Sequence, residues 1–172
     1  MARMFGWFKR RKAPEGPIEV ELDLEIERPA CEVYPLVDFA DPRHHKAEVG
    51  TITRTAERSF DLVVDMLPDL TFPVEELAAS PDRVYSYKSI LPVELGTPLL
   101  YTIETYWLEP AGENRCKVTF SLVGHFRPMT MKEYRLEVAR IAAASNNTLA
   151  KLKIYAEQGV EAIRAIEAQQ AA

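Results

Sequence analysis

The sequence predicts an α+β domain: a curved antiparallel β-sheet of about six to seven strands wrapped around one long C-terminal α-helix, with two short helices after the first strand. Three observations predict it. Residues Ile18 to Glu27 alternate aliphatic and acidic without interruption, the period of a strand with one dry and one wet face. From Thr51 to Phe126, short apolar runs are separated by turn residues, the pattern of an antiparallel meander. After Met129 the period changes to three and four, and stays helical towards the C-terminus.

Each element has its own local reason. Ala13-Pro14-Glu15-Gly16-Pro17 carries two prolines and a glycine and reads as a linker. After the first strand, Arg28-Pro29 stops the chain and a short helix starts near Glu32, so that Pro35 falls in its first turn, where a missing N–H costs nothing. Asp41-Pro42 opens a second helical turn through Arg43, His44, His45 and Lys46, closed by Gly50. Thr51 to Ala56 turns at Glu57-Arg58-Ser59 into Phe60 to Met66. Leu70 to Ala79 turns at Ser80-Pro81-Asp82 into Val84 to Ile90. Leu99 to Leu108 turns at Ala111-Gly112-Glu113-Asn114 into Arg115 to Phe126. Leu91 to Pro98, with two prolines and Gly96, is a longer irregular connection. Thr130 and Glu133 form a capping box at the long helix's start, with Met129 placed to staple onto Tyr134. Tyr134, Val138, Ile141, Ser145, Leu149, Leu152 and Ala156 make its apolar stripe. Unbroken to Ala168 the helix would run about 58 Å, against about 40 Å for a compact chain of this size. A break is therefore expected at Gly159.

The organisation that follows is a basic aromatic segment and linker (1–17), a main domain (18–158) and a C-terminal helical extension (159–172). At 172 residues, the chain can bury a core or enclose a ligand. No apolar run reaches the roughly 18 residues of a membrane span, and the N-terminus lacks the apolar stretch of a secretory signal. Cys31 and Cys116 have no CxxC partner and read as reduced thiols, which fits a cytoplasmic location. Charge is uneven. Residues 1–12 hold five basic side chains and no acid, within a chain of net charge −5. The acidic body argues against DNA binding. The basic head, with Phe5, Trp7 and Phe8, has the composition of a peripheral membrane contact, although a frayed, solvated terminus has it too.

The order of elements is that of the helix-grip fold, and particular residues strengthen the match. Residues 18–38, with Tyr34 at the usual aromatic position, resemble the opening of the START-like superfamily of polyketide cyclases/dehydrases and lipid transport proteins (SRPBCC, Bet v 1-like). Trp107-Leu108-Glu109-Pro110 followed by Cys116-Lys117-Val118-Thr119-Phe120 resembles its last strand pair, and Leu149-Ala150-Lys151-Leu152-Lys153 the end of its long helix. Pro35 and the extension beyond Gly159 depart from the pattern. The resemblance implies an apolar cavity between sheet and helix that takes lipids, sterols, polyketides, isoprenoid quinones or hormones, and in some members catalyses aromatic ring closure. Fold alone does not choose among these.

Inward strand positions and the helix stripe would line such a cavity. Val118, Phe120, Leu122 and Phe126 share one face, with Gly124 giving room. Trp107, Ile103 and Tyr101 share another, opposite the charged Glu104. Phe60, Leu62, Val64 and Met66 form a third, and Leu70, Phe72 and Val74 a fourth. A solid core has the same pattern; the fold favours a cavity. Ser145 interrupts the helix stripe and needs a partner. Tyr85 and Tyr87 share a face and would orient a polar head group if they point inward. The candidate ligand-binding set is Phe72, Tyr85, Tyr87, Ile103, Trp107, Phe120, Leu122, Ser145 and Leu149. Arg54 reads as exposed. His44 and His45 diverge on a helix and cannot chelate one metal together, and His125 lies far away, so no metal and no cofactor is expected. The acids of the first strand form a solvated face, softened by Lys117 and Arg115 on a neighbouring strand.

The expected function is binding or transport of a hydrophobic small molecule (lipid, isoprenoid or polyketide-like), non-catalytic in the first reading. The alternatives are an aromatase/cyclase-type enzyme built from Arg54, Tyr85, Tyr87 and Ser145, and an interaction protein like the ribosome-associated toxin branch of the superfamily. Oligomeric state is not legible.

Overall fold

The alternating decapeptide is the sheet's edge strand, β1 (Ile18–Ile26), with its aliphatics turned to the interior and its acids to solvent. The structure, a computed structural model, describes residues 12–170. The membrane-contact expectation for the basic head rests on residues that, except for Lys12, lie outside the described ones. β1 pairs antiparallel with the last strand, β7 (Cys116–Phe126). This pairing sets Lys117 Nζ 2.6 Å from Asp23 and Arg115 Nη1 3.2 Å from Glu25. The hydrogen bond and charge of Lys117 hold the Asp23 carboxyl below its ordinary range.

Between these strands the chain makes α1 (Ala30–Val33) and a 3₁₀ turn (Tyr34–Leu36) with Pro35 in its first turn. The second helical segment is also 3₁₀, and shorter than expected, at His45–Glu48. Its cap is His44, whose Nδ1 accepts from the Lys46 backbone N–H at 3.0 Å. Gly50 does not close this turn but begins the next strand, since the close approach of the Val63 carbonyl leaves no space for a Cβ. Then follow β2 (Gly50–Ala56), β3 (Ser59–Val64), β4 (Phe72–Ser80), β5 (Val84–Ile90) and β6 (Leu99–Pro110). The seven strands form one sheet in the order β1-β7-β6-β5-β4-β3-β2, antiparallel throughout. Bulges in β2, β4 and β6 break the register, the local device that bends a sheet.

The long helix, α2 (Met131–Gln158), starts with the full capping box: Thr130 Oγ1 accepts from the Glu133 N–H and Glu133 accepts from the Thr130 N–H. It packs across β1 and β7. It ends at Gly159, whose φ of 84° suits a residue without a side chain, and α3 (Val160–Gln170) continues in a new direction. Ile163 of α3 is buried, and Arg164 lies 3.1 Å from Glu48 of the second 3₁₀ turn. No helix among the described residues is long and apolar enough to cross a membrane. Cys31 is exposed and Cys116 buried, both free; burial pushes the Cys116 thiol up to about 11.

Two expectations about faces are corrected. β3 ends at Val64, so Met66 belongs to a connection and stands 84% exposed, and Leu70 precedes β4. In β6 the inward residues are Thr102, Glu104, Tyr106 and Leu108, not Tyr101, Ile103 and Trp107. Register decides it. Glu104, Tyr106 and Leu108 stand opposite Leu122, Phe120 and Val118 of β7, and directly paired residues share a face. The apolar face of β6 is therefore the convex one, where Tyr101 stacks on His125 at 4.4 Å and Trp107 is 40% exposed.

Candidate functional site

The space between sheet and α2 is packed at one end and hollow at the other. The packed end is aromatic: Tyr85, Tyr106 and Phe120 are fully buried, Tyr106 and Phe120 with centroids 4.8 Å apart. Towards the opposite end an open cavity of about 660 Å³ lies between α2 and strands β3 to β7, a size that accommodates a drug-sized molecule. Leu62, Val64, Phe72, Leu122 and Ile141 supply its apolar walls, and Leu91 and Leu95 of the β5–β6 connection line it as well. A second groove, about 720 Å³, lies at the packed end around Trp107 and Arg115, walled by turns. It draws on no buried charged residue, whereas the first cavity does.

The floor of the first cavity is polar. β5 and β6 pair with Tyr87 directly opposite Glu104 and Ser89 opposite Thr102, so these four side chains share the inward face. Tyr87 donates its hydroxyl hydrogen to Glu104 Oε2, and Thr102 Oγ1 donates to Glu104 Oε1 at 3.2 Å. Lys46 reaches over from the second 3₁₀ turn. Its Nζ donates to the Tyr87 hydroxyl at 2.7 Å, stands 3.6 Å from Glu104 Oε2 and lies 5.0 Å from the centre of the Tyr87 ring. A buried carboxylate without partners is costly. Here it accepts from two hydroxyls and faces one ammonium, so it stays inside. Burial and the Glu104 charge push the Tyr87 hydroxyl well above its ordinary value.

His45, beside Lys46, also lines the cavity. Its Nδ1 is 2.7 Å from the Leu36 carbonyl oxygen. A carbonyl only accepts, so Nδ1 carries the hydrogen and Nε2 is left bare. Burial and the neighbouring Lys46 lower the imidazole to about 4, which keeps it neutral. His44 stacks on it at 4.8 Å and packs against Phe39 at 4.2 Å. Burial and His45 hold His44 well below its ordinary value. A second carboxylate, Glu137 of α2, lines the same cavity at 4% exposure, with Arg140 Nη1 donating to it at 2.8 Å.

The residues expected from the sequence divide among three places. Phe72 and Leu122 line the cavity, and Tyr87, fully buried, lies behind its polar floor, bonded to Lys46 and Glu104, which line it. Tyr85, Phe120 and Leu149 sit in the packed core. The Tyr85 hydroxyl accepts from the Phe39 N–H at 3.2 Å. Ser145 is fully buried on α2, its Oγ making no hydrogen bond among the described residues. Ile103 and Trp107 lie on the convex face, away from the cavity. Arg54 is exposed and donates to the Ala56 and Glu57 carbonyls. The catalytic group of Arg54, Tyr85, Tyr87 and Ser145 is therefore not assembled. Instead the structure brings together Lys46, His45, Thr102, Glu104 and Glu137, which the sequence reading left out. Glu104 was legible: placing it opposite inward Leu122 turns it inside. Lys46 had no signal, because its partners lie on distant strands. No cluster of metal-ligating side chains occurs among the described residues.

Solved structures of the same architecture exist. DynU16, a protein of the dynemicin biosynthetic locus, matches with a TM-score of 0.61 at 22% identity, over 85% of this chain and 49% of that one. Ara h 8.0201 matches with a TM-score of 0.61 at 12% identity, over 82% and 98% of the two chains. Norcoclaurine synthase from Thalictrum flavum, as a point mutant with a transition-state analogue, matches with a TM-score of 0.57 at 13% identity, over 88% and 99%. At such identities the likeness shows the helix-grip fold. No family model matches the chain, and no curated protein matches it.

Proposed function

We propose that this helix-grip chain binds and carries a hydrophobic small molecule bearing one polar group, seated with its apolar body in the cavity and its polar end on Lys46, which Tyr87 and Glu104 hold in place. The observation that supports it is the contrast between the aliphatic walls and the charge-balanced floor within one open cavity. Burial of the apolar body supplies affinity at about 25 cal/mol per Å², and Lys46 offers an ammonium to an oxygen-bearing head. Norcoclaurine synthase, of the same fold, has been solved with dopamine and hydroxybenzaldehyde, which supports small aromatic ligands as one class. Native mass spectrometry of gently purified protein should show a co-purified lipophile, displaced in a Leu122→Glu variant. Repeatedly empty protein that binds no member of a lipid and isoprenoid panel would sink the reading.

A second reading is favoured by one observation, the neutral, tautomer-fixed His45 beside Lys46. In this reading the chain is an enzyme of the cyclase type. His45 Nε2 takes a proton from carbon α to a ligand carbonyl, and the ammonium of Lys46 stabilises the enolate oxygen. The proton then returns from His45 to the product. Deuterium incorporation from D2O into the methyl group of 4-hydroxyacetophenone, followed by NMR, measures that step. Exchange no faster than in a His45→Gln variant rejects catalysis and leaves the carrier.

A further inference from the structure

The antiparallel order of the strands brings the β3–β4 connection, the β5–β6 connection, the start of β6 and the first turns of α2 to one end of the sheet. Of the large apolar side chains left exposed among the described residues, Met66, Leu67, Ile90, Val93, Leu100 and Leu136 gather there, while Leu77 of β4 and Trp107 of β6 lie elsewhere on the sheet. Met66 and Val93, at 84% and 85% exposure, stand at the tips of the two connections. Isolated exposed aliphatics are ordinary, but a concentration at one end marks an interaction surface. The cavity reaches the same end, since Leu91, Leu95 and Thr97 of the β5–β6 connection line it.

The chain also enters at this end. Lys12 bridges to Thr130, and the Ala13 N–H donates to the Met129 carbonyl at 3.3 Å. The described chain therefore begins at this end, and the sequence that precedes Lys12 holds Arg3, Lys9, Arg10 and Arg11 with no acid, and Phe5, Trp7 and Phe8. The loops themselves bear Asp65, Asp69 and Glu94. They repel an anionic surface, so the attraction has to come from residues 1–12 together with exposed Arg127, Lys132 and Arg135. Aliphatic tips at the end from which a cationic, aromatic sequence departs make up the composition that partitions into a charged lipid interface.

The geometry points to this end as a docking surface for an anionic lipid bilayer, with Met66 and Val93 dipping into the headgroup boundary and the cavity mouth facing the lipid. The route of ligand entry from the membrane rests on the carrier reading; the docking itself does not. The test is co-sedimentation of the full chain with vesicles of phosphatidylcholine alone and with equal parts of phosphatidylglycerol. The protein binds the mixed vesicles, and raised salt releases it. A Met66→Asp/Val93→Asp variant and a chain lacking residues 1–11 each bind at least about tenfold more weakly, while both keep the wild-type melting temperature. Wild-type protein that stays in the supernatant with anionic vesicles overturns the proposal, as does a double variant that binds like the wild type. A dimer in light scattering that the double variant abolishes also overturns it, assigning the surface to a second copy. Docking without any ligand found in the cavity sinks the carrier reading alone.

Discussion

Glu104 shows how one residue sets the character of the cavity. Its carboxylate is tolerated inside because Tyr87 and Thr102 donate to it and Lys46 balances its charge. Lys46→Met leaves the carboxylate without its cation and should cost about 2–3 kcal/mol in urea unfolding. Glu104→Gln in the same chain should recover part of that loss, because the amide needs no counter-charge. An additive double-mutant cycle would show that the two groups are uncoupled. His45 and His44 contribute through pH. Both imidazoles are held neutral in the folded chain, His45 at about 4 against an ordinary 6.5. Between those values the unfolded state binds more protons. The stabilisation is thus whole above about pH 6.5 and is lost as pH falls, down to about pH 4 for His45. The loss for His45 is about 2 kcal/mol, after discount for its partial exposure. A His45→Gln variant should show a flatter decline of melting temperature between pH 7 and pH 4.5; an unchanged profile would place the acid sensitivity elsewhere.

At the scale of elements, what holds α2 on the sheet is legible at its start and at one glycine. Thr130→Ala removes the capping hydroxyl and should lower stability by about 1 kcal/mol, with the denaturation midpoint as readout. Gly124 lies on the inward face of β7, where a Cβ would stand 2.8 Å from Ile141 Cδ1 and 3.0 Å from Phe126 Cε2. Gly124→Val should therefore push α2 outward, cost about 1–3 kcal/mol and enlarge the gap between Ile141 and Leu122. Crystallography of the variant would find an unmoved helix if the side chains simply turn aside.

For the whole molecule, the question is what keeps the cavity's movable wall in place. The turn that carries His45 and Lys46 belongs to neither sheet nor α2, and α3 reaches it through Arg164 and Glu48 at 3.1 Å. Truncation after Gln158 removes that ion pair and the buried Ile163. Residues 44–49 should then exchange amide hydrogens at least about tenfold faster, while the β6–β7 ladder stays protected. Equal protection would mean that α3 is dispensable to the site. The molecule thus combines an aromatic plug at one end, an open cavity at the other and a strap that positions the polar floor.

Element order, the boundaries of β1 and β5, the capping box and the helix break at Gly159 were all legible from residue order, because they depend on local periodicity and backbone chemistry. The faces of β7 were legible for the same reason. In β6 the face opposite Glu104 reads as the inward one from the sequence, whereas the pairing of Glu104 with Leu122 of β7 puts Glu104 inside. How far the interior is filled was not legible: Phe72 beside the cavity and Phe120 in the core occupy the same kind of inward strand position. The sequence by itself determined the container, since alternation and turns act between neighbours in the chain. Only the tertiary structure decided that Lys46, Tyr87 and Glu104 meet, because a buried charge is stabilised by partners that the fold brings together from positions far apart.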